Sequence, residues 1–173
     1  MGDTVTEKWG GRQVLFLCVL TGISFLGNVA APQLFAGFNY LLGSIGVVLV
    51  LRCFGPLWAV VAALLAATWC RQLFGHYYPL FWLGLEPLFL WWWMRRRPRS
   101  SFILADLVYW PLLGIPLLCF FFLQVMHVAP IGTVAAALMY WLIGITNTLL
   151  ATIVVSYTPL ERLVWPGRTV QPV

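Results

Sequence analysis

Charge is what this chain has least of. Asp, Glu, Lys and Arg together make up 9% of its 173 residues, against roughly a quarter in a soluble domain. That scarcity excludes an ordinary water-soluble globule. There are only two histidines, and the four cysteines, Cys18, Cys53, Cys70 and Cys119, each stand alone in or beside an apolar run, so no zinc or redox spacing exists. They are expected as small packing residues. His-x-x-x-His, a glycine-rich phosphate loop, and a serine sharing one membrane face with a histidine and an acid are all missing. No metal, cofactor or catalytic module is expected within these residues, and the chain is not expected to be an enzyme.

What the sequence has instead is hydrocarbon: 62% hydrophobic residues and a mean hydropathy of +0.91. This composition predicts an all-α integral membrane protein. Because the basic residues behind the net charge of +5 fall between apolar runs, they read as topology signals and not as a nucleic-acid surface. A spanning helix needs ~20 mostly apolar residues. The breaks at Pro, Gly and charge predict six spans, over about residues 13–34, 37–53, 56–71, 78–94, 102–125 and 132–157, in a domain covering 13–158. Residues 1–12 are expected as a polar tail and 159–173 as a linker toward an output domain. The first run lacks a small-x-small cleavage pattern and is expected to remain in the mature protein. Six spans place Lys8, Arg12, Arg52, Arg95, Arg96, Arg97, Arg99, Arg162 and Arg168 on one side and only Arg71 on the other. By the positive-inside rule both termini are cytoplasmic.

Small residues suggest how the spans meet. Gly37, Gly43, Ser44 and Gly46 in the second, and Ala59, Ala63 and Ala67 with Ala62 and Ala66 in the third, allow close backbone approach. Gly55-Pro56 between them predicts a tight antiparallel hairpin. In the fifth span Pro111, Gly114 and Pro116 predict a kink or an opened hydrogen-bond ladder.

Chemistry concentrates between Arg71 and Asp106. Glu86, midway along an apolar span, is costly unless it faces the bundle interior with a partner or a proton. Pro87 after it is expected to bias Glu86 away from helical geometry. Two readings of Glu86 stand: a ligand- or proton-responsive group, or a structural hydrogen-bonded acid. Arg71, His76, Tyr77 and Tyr78 form a polar aromatic mouth that either grips an anionic or aromatic small molecule or sits at the headgroups as an interface belt. Asp106 is expected either to pair with the Arg95–Arg99 loop or to serve as an interhelical or pocket polar group. Asn28, Asn39 and Asn147 are expected as interhelical or pocket amides, and His127 as a loop residue.

Several short motifs occur in a telling order: Gly-Ser-Ile-Gly at 43–46, Leu-Arg-Cys-Phe-Gly-Pro at 51–56, Phe-Gly-His-Tyr-Tyr-Pro at 74–79, and Leu-Glu-Pro-Leu-Phe at 85–89. The arginines of 95–97, Leu-Ala-Asp-Leu-Val-Tyr-Trp at 104–110 and Gly-Ile-Pro-Leu at 114–117 follow. From about residue 13 to 163 the chain resembles the N-terminal multi-span sensory region of bacterial histidine kinases and cyclic-di-GMP signalling enzymes. The resemblance implies a ligand-binding input module in the bacterial inner membrane, a homodimer formed through the full-length protein, and functional roles for Arg52, His76, Glu86 and Asp106. Pro87 departs from the alanine of that pattern. In architecture the chain is also similar to the substrate-binding subunits of energy-coupling-factor vitamin transporters, although the first span has no alanine-x-x-x-alanine docking face, and to membrane scaffold proteins. A transporter subunit and a non-catalytic scaffold are therefore the alternative functions.

Overall fold

The structure is a computed structural model, in which residues 9–33 and 39–166 are described. The expectations for Lys8, Arg168, Gly37 and most of the tail, together with the end of the linker, lie outside the described residues. The described residues are all helical in their regular structure: α1 (Gly11–Ala30), α2 (Gly43–Phe54), α3 (Pro56–Phe74, interrupted at Trp69), α4 (Pro79–Arg96), α5 (Phe102–Val125), α6 (Pro130–Tyr157) and α7 (Leu160–Val164).

Four of these helices, α1, α3, α5 and α6, are long and apolar enough to cross a membrane, where the sequence reading expects six. The two that fall short do so for different reasons. α2 has 12 residues, about 18 Å, because residues 39–42, just ahead of Gly43, are not helical: Gln33 and Asn39 form an isolated antiparallel bridge and the Tyr40 N–H donates to the Pro32 carbonyl. α4 has 18 residues but carries Glu86, Arg95 and Arg96. These four spans make the chain a multi-pass membrane protein. Leu15, Leu26, Leu57, Ile131 and Leu142 all face outward, as lipid-facing positions do.

Local chemistry sets the joints. Gly55, at φ 88°, ends α2 in a conformation that L side chains rarely adopt, and Pro56 starts α3 at the position where its missing N–H costs nothing. The expected hairpin is present. Ala59, Ala62, Ala63, Ala66 and Ala67 are buried against the neighbouring helices. α1 and α2 approach so closely that a Cβ on Gly46 would lie 2.3 Å from Ser24 Oγ and 2.8 Å from the Ser24 nitrogen. In α5 the ladder opens as expected, with π-helical turns at Trp110–Gly114 and Phe120–Val125.

One end of the bundle gathers the arginine-bearing turns and both described chain ends. Trp165 Nε1 donates to the Cys53 carbonyl (2.9 Å) and Gln13 Nε2 to the Val164 carbonyl (3.1 Å). Arg52 Nε donates to Glu161 Oε1, and the Trp9 ring lies against Phe54, Trp58 and Trp165. The stretch expected as a linker thus begins with a docked helix. Val164 is fully buried, and the acid of Glu161 meets Arg52 in the last turn of α2.

Candidate functional site

Glu86 stands in the middle of α4, which stays helical straight through Pro87. The expected departure from helical geometry at Glu86 does not occur. A proline in a helix interior withholds one N–H, so the carbonyl of Leu83 loses its intrahelical donor while the helix keeps its course between packed neighbours. Glu86 is 3% exposed; its Oε2 accepts from Ser44 Oγ of α2 (3.3 Å), and its Oε1 has no hydrogen-bond partner.

Asp106 of α5 is fully buried, and its Oδ2 accepts from Thr148 Oγ1 of α6 (3.0 Å) while Oδ1 is unpartnered. The expected salt bridge to the Arg95–Arg99 loop is therefore wrong. One turn inside α5, Asp106 points into the bundle, whereas the arginines point outward. Glu86 and Asp106 stand on the contacting helices α4 and α5. One turn beyond Asp106, the Tyr109 hydroxyl donates to the Trp82 carbonyl and ties α5 to α4 at this level.

Trp110 completes the cluster. Its ring lies parallel to Tyr140 (6.3 Å, 9°), and its buried Nε1 has no partner. A Cβ on Gly144 would sit 2.2 Å from Trp110 Nε1 and 3.0 Å from Asp106 Oδ2, so the indole N–H and the carboxylate converge on one glycine. The groups touching the carboxyls are hydroxyls, not bases. Burying two like charges without a counter-charge costs several kcal/mol per ion. A proton, or a partner that brings hydrogen-bond donors or positive charge to Glu86 Oε1 and Asp106 Oδ1, removes that cost.

The expected mouth divides in two. Arg71 and Tyr77 are an exposed pair, with Arg71 Nη1 3.2 Å from the Tyr77 hydroxyl and the guanidinium 5.2 Å from the ring centre. His76 and Tyr78 belong to an aromatic column: His76 stacks on Phe74 (6.1 Å) and Tyr78 (4.7 Å), and Tyr78 on Phe121 (4.6 Å). Partial burial pushes the His76 pKa below the ordinary histidine range, and its Nδ1 is buried without a partner. From Tyr78 to Glu86 is eight residues, about 12 Å along a helix. The mouth and the carboxyls are separate features of one half of the bundle.

Asn28 holds three helices together, donating from Nδ2 to the Ala66 carbonyl (3.0 Å) and accepting from the Gly43 N–H (2.9 Å). Asn147 Nδ2 donates to the Leu41 carbonyl (2.6 Å). Asn39, expected within a span, lies ahead of α2 in an isolated bridge with Gln33. His127 is in a loop with φ 54°. Cys53 and Cys70 are buried, but Cys18 is exposed and Cys119 half-buried, so only two of the four pack as expected. Among the described residues, no three His, Cys, Asp or Glu side chains gather to hold a metal. Sequence reasoning missed Thr148 and Trp110. The four-residue step Gly144–Thr148, a small residue beside a hydroxyl on one helix face, was the available signal.

No family model, curated protein or solved structure matches this chain. The fold and the site therefore define a class, an all-helical multi-pass membrane protein with a buried two-carboxyl cluster.

Proposed function

We propose that this chain is the membrane-embedded sensory module of a bacterial signalling protein, with its termini in the cytoplasm and a small molecule or proton recognised at Glu86 and Asp106. The observation that carries this reading is the double engagement of α2. Ser44, near its start, contacts Glu86, and Arg52, near its end, holds Glu161 of α7. The eight-residue step from Ser44 to Arg52 spans about 12 Å of helix. A change in charge at the carboxyls has a mechanical route to the C-terminal segment, where a kinase or cyclic-di-GMP output domain would be attached in a homodimer. Such a route matters only if the ligand favours one helix arrangement over another.

Neutralising both carboxyls imitates the occupied site without knowledge of the ligand. Spin labels at the outward-facing Leu57 of α3 and Leu163 of α7, in the chain reconstituted in lipid, report the position of α7. Glu86→Gln combined with Asp106→Asn is expected to shift the label-to-label distance distribution relative to the otherwise unaltered labelled chain. Superimposable distributions would sink the coupling and, with it, the sensory reading.

A further inference from the structure

The last turn of α4 and the turn after it form a comb of alternating roles. Trp91, Trp92 and Trp93 each lie four residues before an arginine, which places each pair on one helix face. The Arg95 guanidinium lies 5.4 Å from the Trp91 ring, Arg96 5.1 Å from Trp92, and Arg97 4.4 Å from Trp93. Indole faces thus hold three guanidinium planes in place while leaving their N–H groups outward. The following turn is closed by the Ser100 N–H to the Arg97 carbonyl (2.9 Å) and by Trp93 Nε1 to Ser100 Oγ (2.8 Å). Against it lies an open cleft of about 460 Å³ lined by Arg97, Pro98, Arg99, Ser100 and Leu104.

Charge balance shows what this cleft lacks. The chain has five acidic residues. Glu86 and Asp106 are buried in the bundle and Glu161 holds Arg52, while Asp3 and Glu7 lie outside the described residues. Among the described residues, no carboxylate reaches Arg95, Arg96, Arg97 or Arg99, and all four are exposed. The surface just beyond them is apolar. Leu104 and Leu107, three residues apart on α5, are 44% and 38% exposed, and Trp92 is 43% exposed. Cationic forks over an apolar strip, at the depth where tryptophan belts sit, match a phosphate headgroup with its acyl chains below.

We propose that this cleft binds an anionic phospholipid, its phosphate held by Arg97 and Arg99 and its acyl chains lying along Leu104 and Leu107. The guanidinium forks take phosphate oxygens two at a time, and the Ser100 hydroxyl stands beside them.

The test is native mass spectrometry of the full chain released from nanodiscs containing equal phosphatidylglycerol and phosphatidylcholine, with and without inorganic phosphate. Phosphatidylglycerol is expected to remain bound in preference to phosphatidylcholine. Each arginine near a membrane surface contributes about a five-fold preference, so Arg97→Gln with Arg99→Gln is expected to lower retention roughly thirty-fold. Arg97→Lys with Arg99→Lys, which keeps the charge and loses the fork, is expected to fall between. Equal retention of the two lipids would overturn the proposal, as would full retention by the glutamine variant. Displacement by millimolar phosphate alone would show that the acyl chains contribute nothing, and that too would overturn it.

Discussion

The two halves of this bundle are packed by different means. On the arginine-rich side the core is made of Leu17, Leu20, Val47, Val48, Val50, Ala59, Ala62 and Ala63, with helices close enough for backbone contact. On the opposite side it is made of Trp82, Tyr109, Trp110, Leu118, Tyr140 and Ile143. Small residues leave no polar atom behind them, whereas a large ring with a polar edge fills volume and brings an N–H that needs a partner. The consequence is visible in the buried unpartnered atoms. Trp69, Trp82, Trp110 and Trp141 Nε1, His76 Nδ1, Asn147 Oδ1, Glu86 Oε1 and Asp106 Oδ1 all lie at the carboxyl level or beyond it, away from Arg52 and Arg95–Arg99. One half is a staple, and the other has hydrogen-bonding capacity to offer.

One added methyl is expected to break the staple. In Gly46→Ala the new methyl would meet the Ser24 nitrogen at 2.8 Å and the Leu20 carbonyl oxygen at 2.9 Å, both backbone atoms that cannot swing away. A loss of about 1–3 kcal/mol is expected for such overpacking. Gly144→Ala meets only side-chain atoms, Trp110 Nε1 and Asp106 Oδ2, and is expected to cost less while disturbing the carboxyl cluster. Unfolding midpoints of the two variants in one detergent check this order. If Gly144→Ala proves the more damaging, the aromatic half is the rigid one.

The membrane class, the hairpin at Gly55-Pro56, the buried alanine rows and the opened ladder of α5 were all legible, because each rests on local residue chemistry. The number of spans was not. Hydropathy counts apolar runs, while the shortness of α2 depends on a bridge between Gln33 and Asn39 that no apolar pattern announces. Glu86 was legible as a lone acid in hydrocarbon. For Asp106 the interhelical reading holds and the salt bridge does not, since sequence proximity to Arg95–Arg99 says nothing of the direction in which the first turn of α5 faces. The Arg52–Glu161 pair joins positions 109 apart, which only the folded bundle brings together.

A smaller effect sharpens the comparison at its boundary. Glu86→Gln retains an oxygen for the Ser44 hydroxyl and removes the charge, so its stability is expected to change by less than about 1 kcal/mol. Trp82→Ala, which empties the space of a fully buried ring, is expected to cost about 3–5 kcal/mol. Thermal unfolding of both variants separates the readings of the carboxyl. If Glu86→Gln falls as far as Trp82→Ala, Glu86 is a structural acid of the staple.

The smallest expected effect concerns His76, at the far end of the unpartnered half. Burial lowers its folded pKa below the unfolded value, so the unfolded chain binds more protons as the pH falls below about 6.5. Folding stability is therefore lost on acidification across the interval between the two values, and the loss is complete below the folded one. The ring is half-exposed, so the change is modest. His76→Phe keeps the stack between Phe74 and Tyr78 and removes the titrating nitrogen. Its unfolding midpoint is expected to lose this part of the acid dependence, while a decline as steep as that of the unaltered chain would place the titrating group elsewhere. Because the column runs from His76 through Tyr78 to Phe121, an effect confined to this residue would also separate the aromatic mouth from the carboxyl cluster about 12 Å deeper.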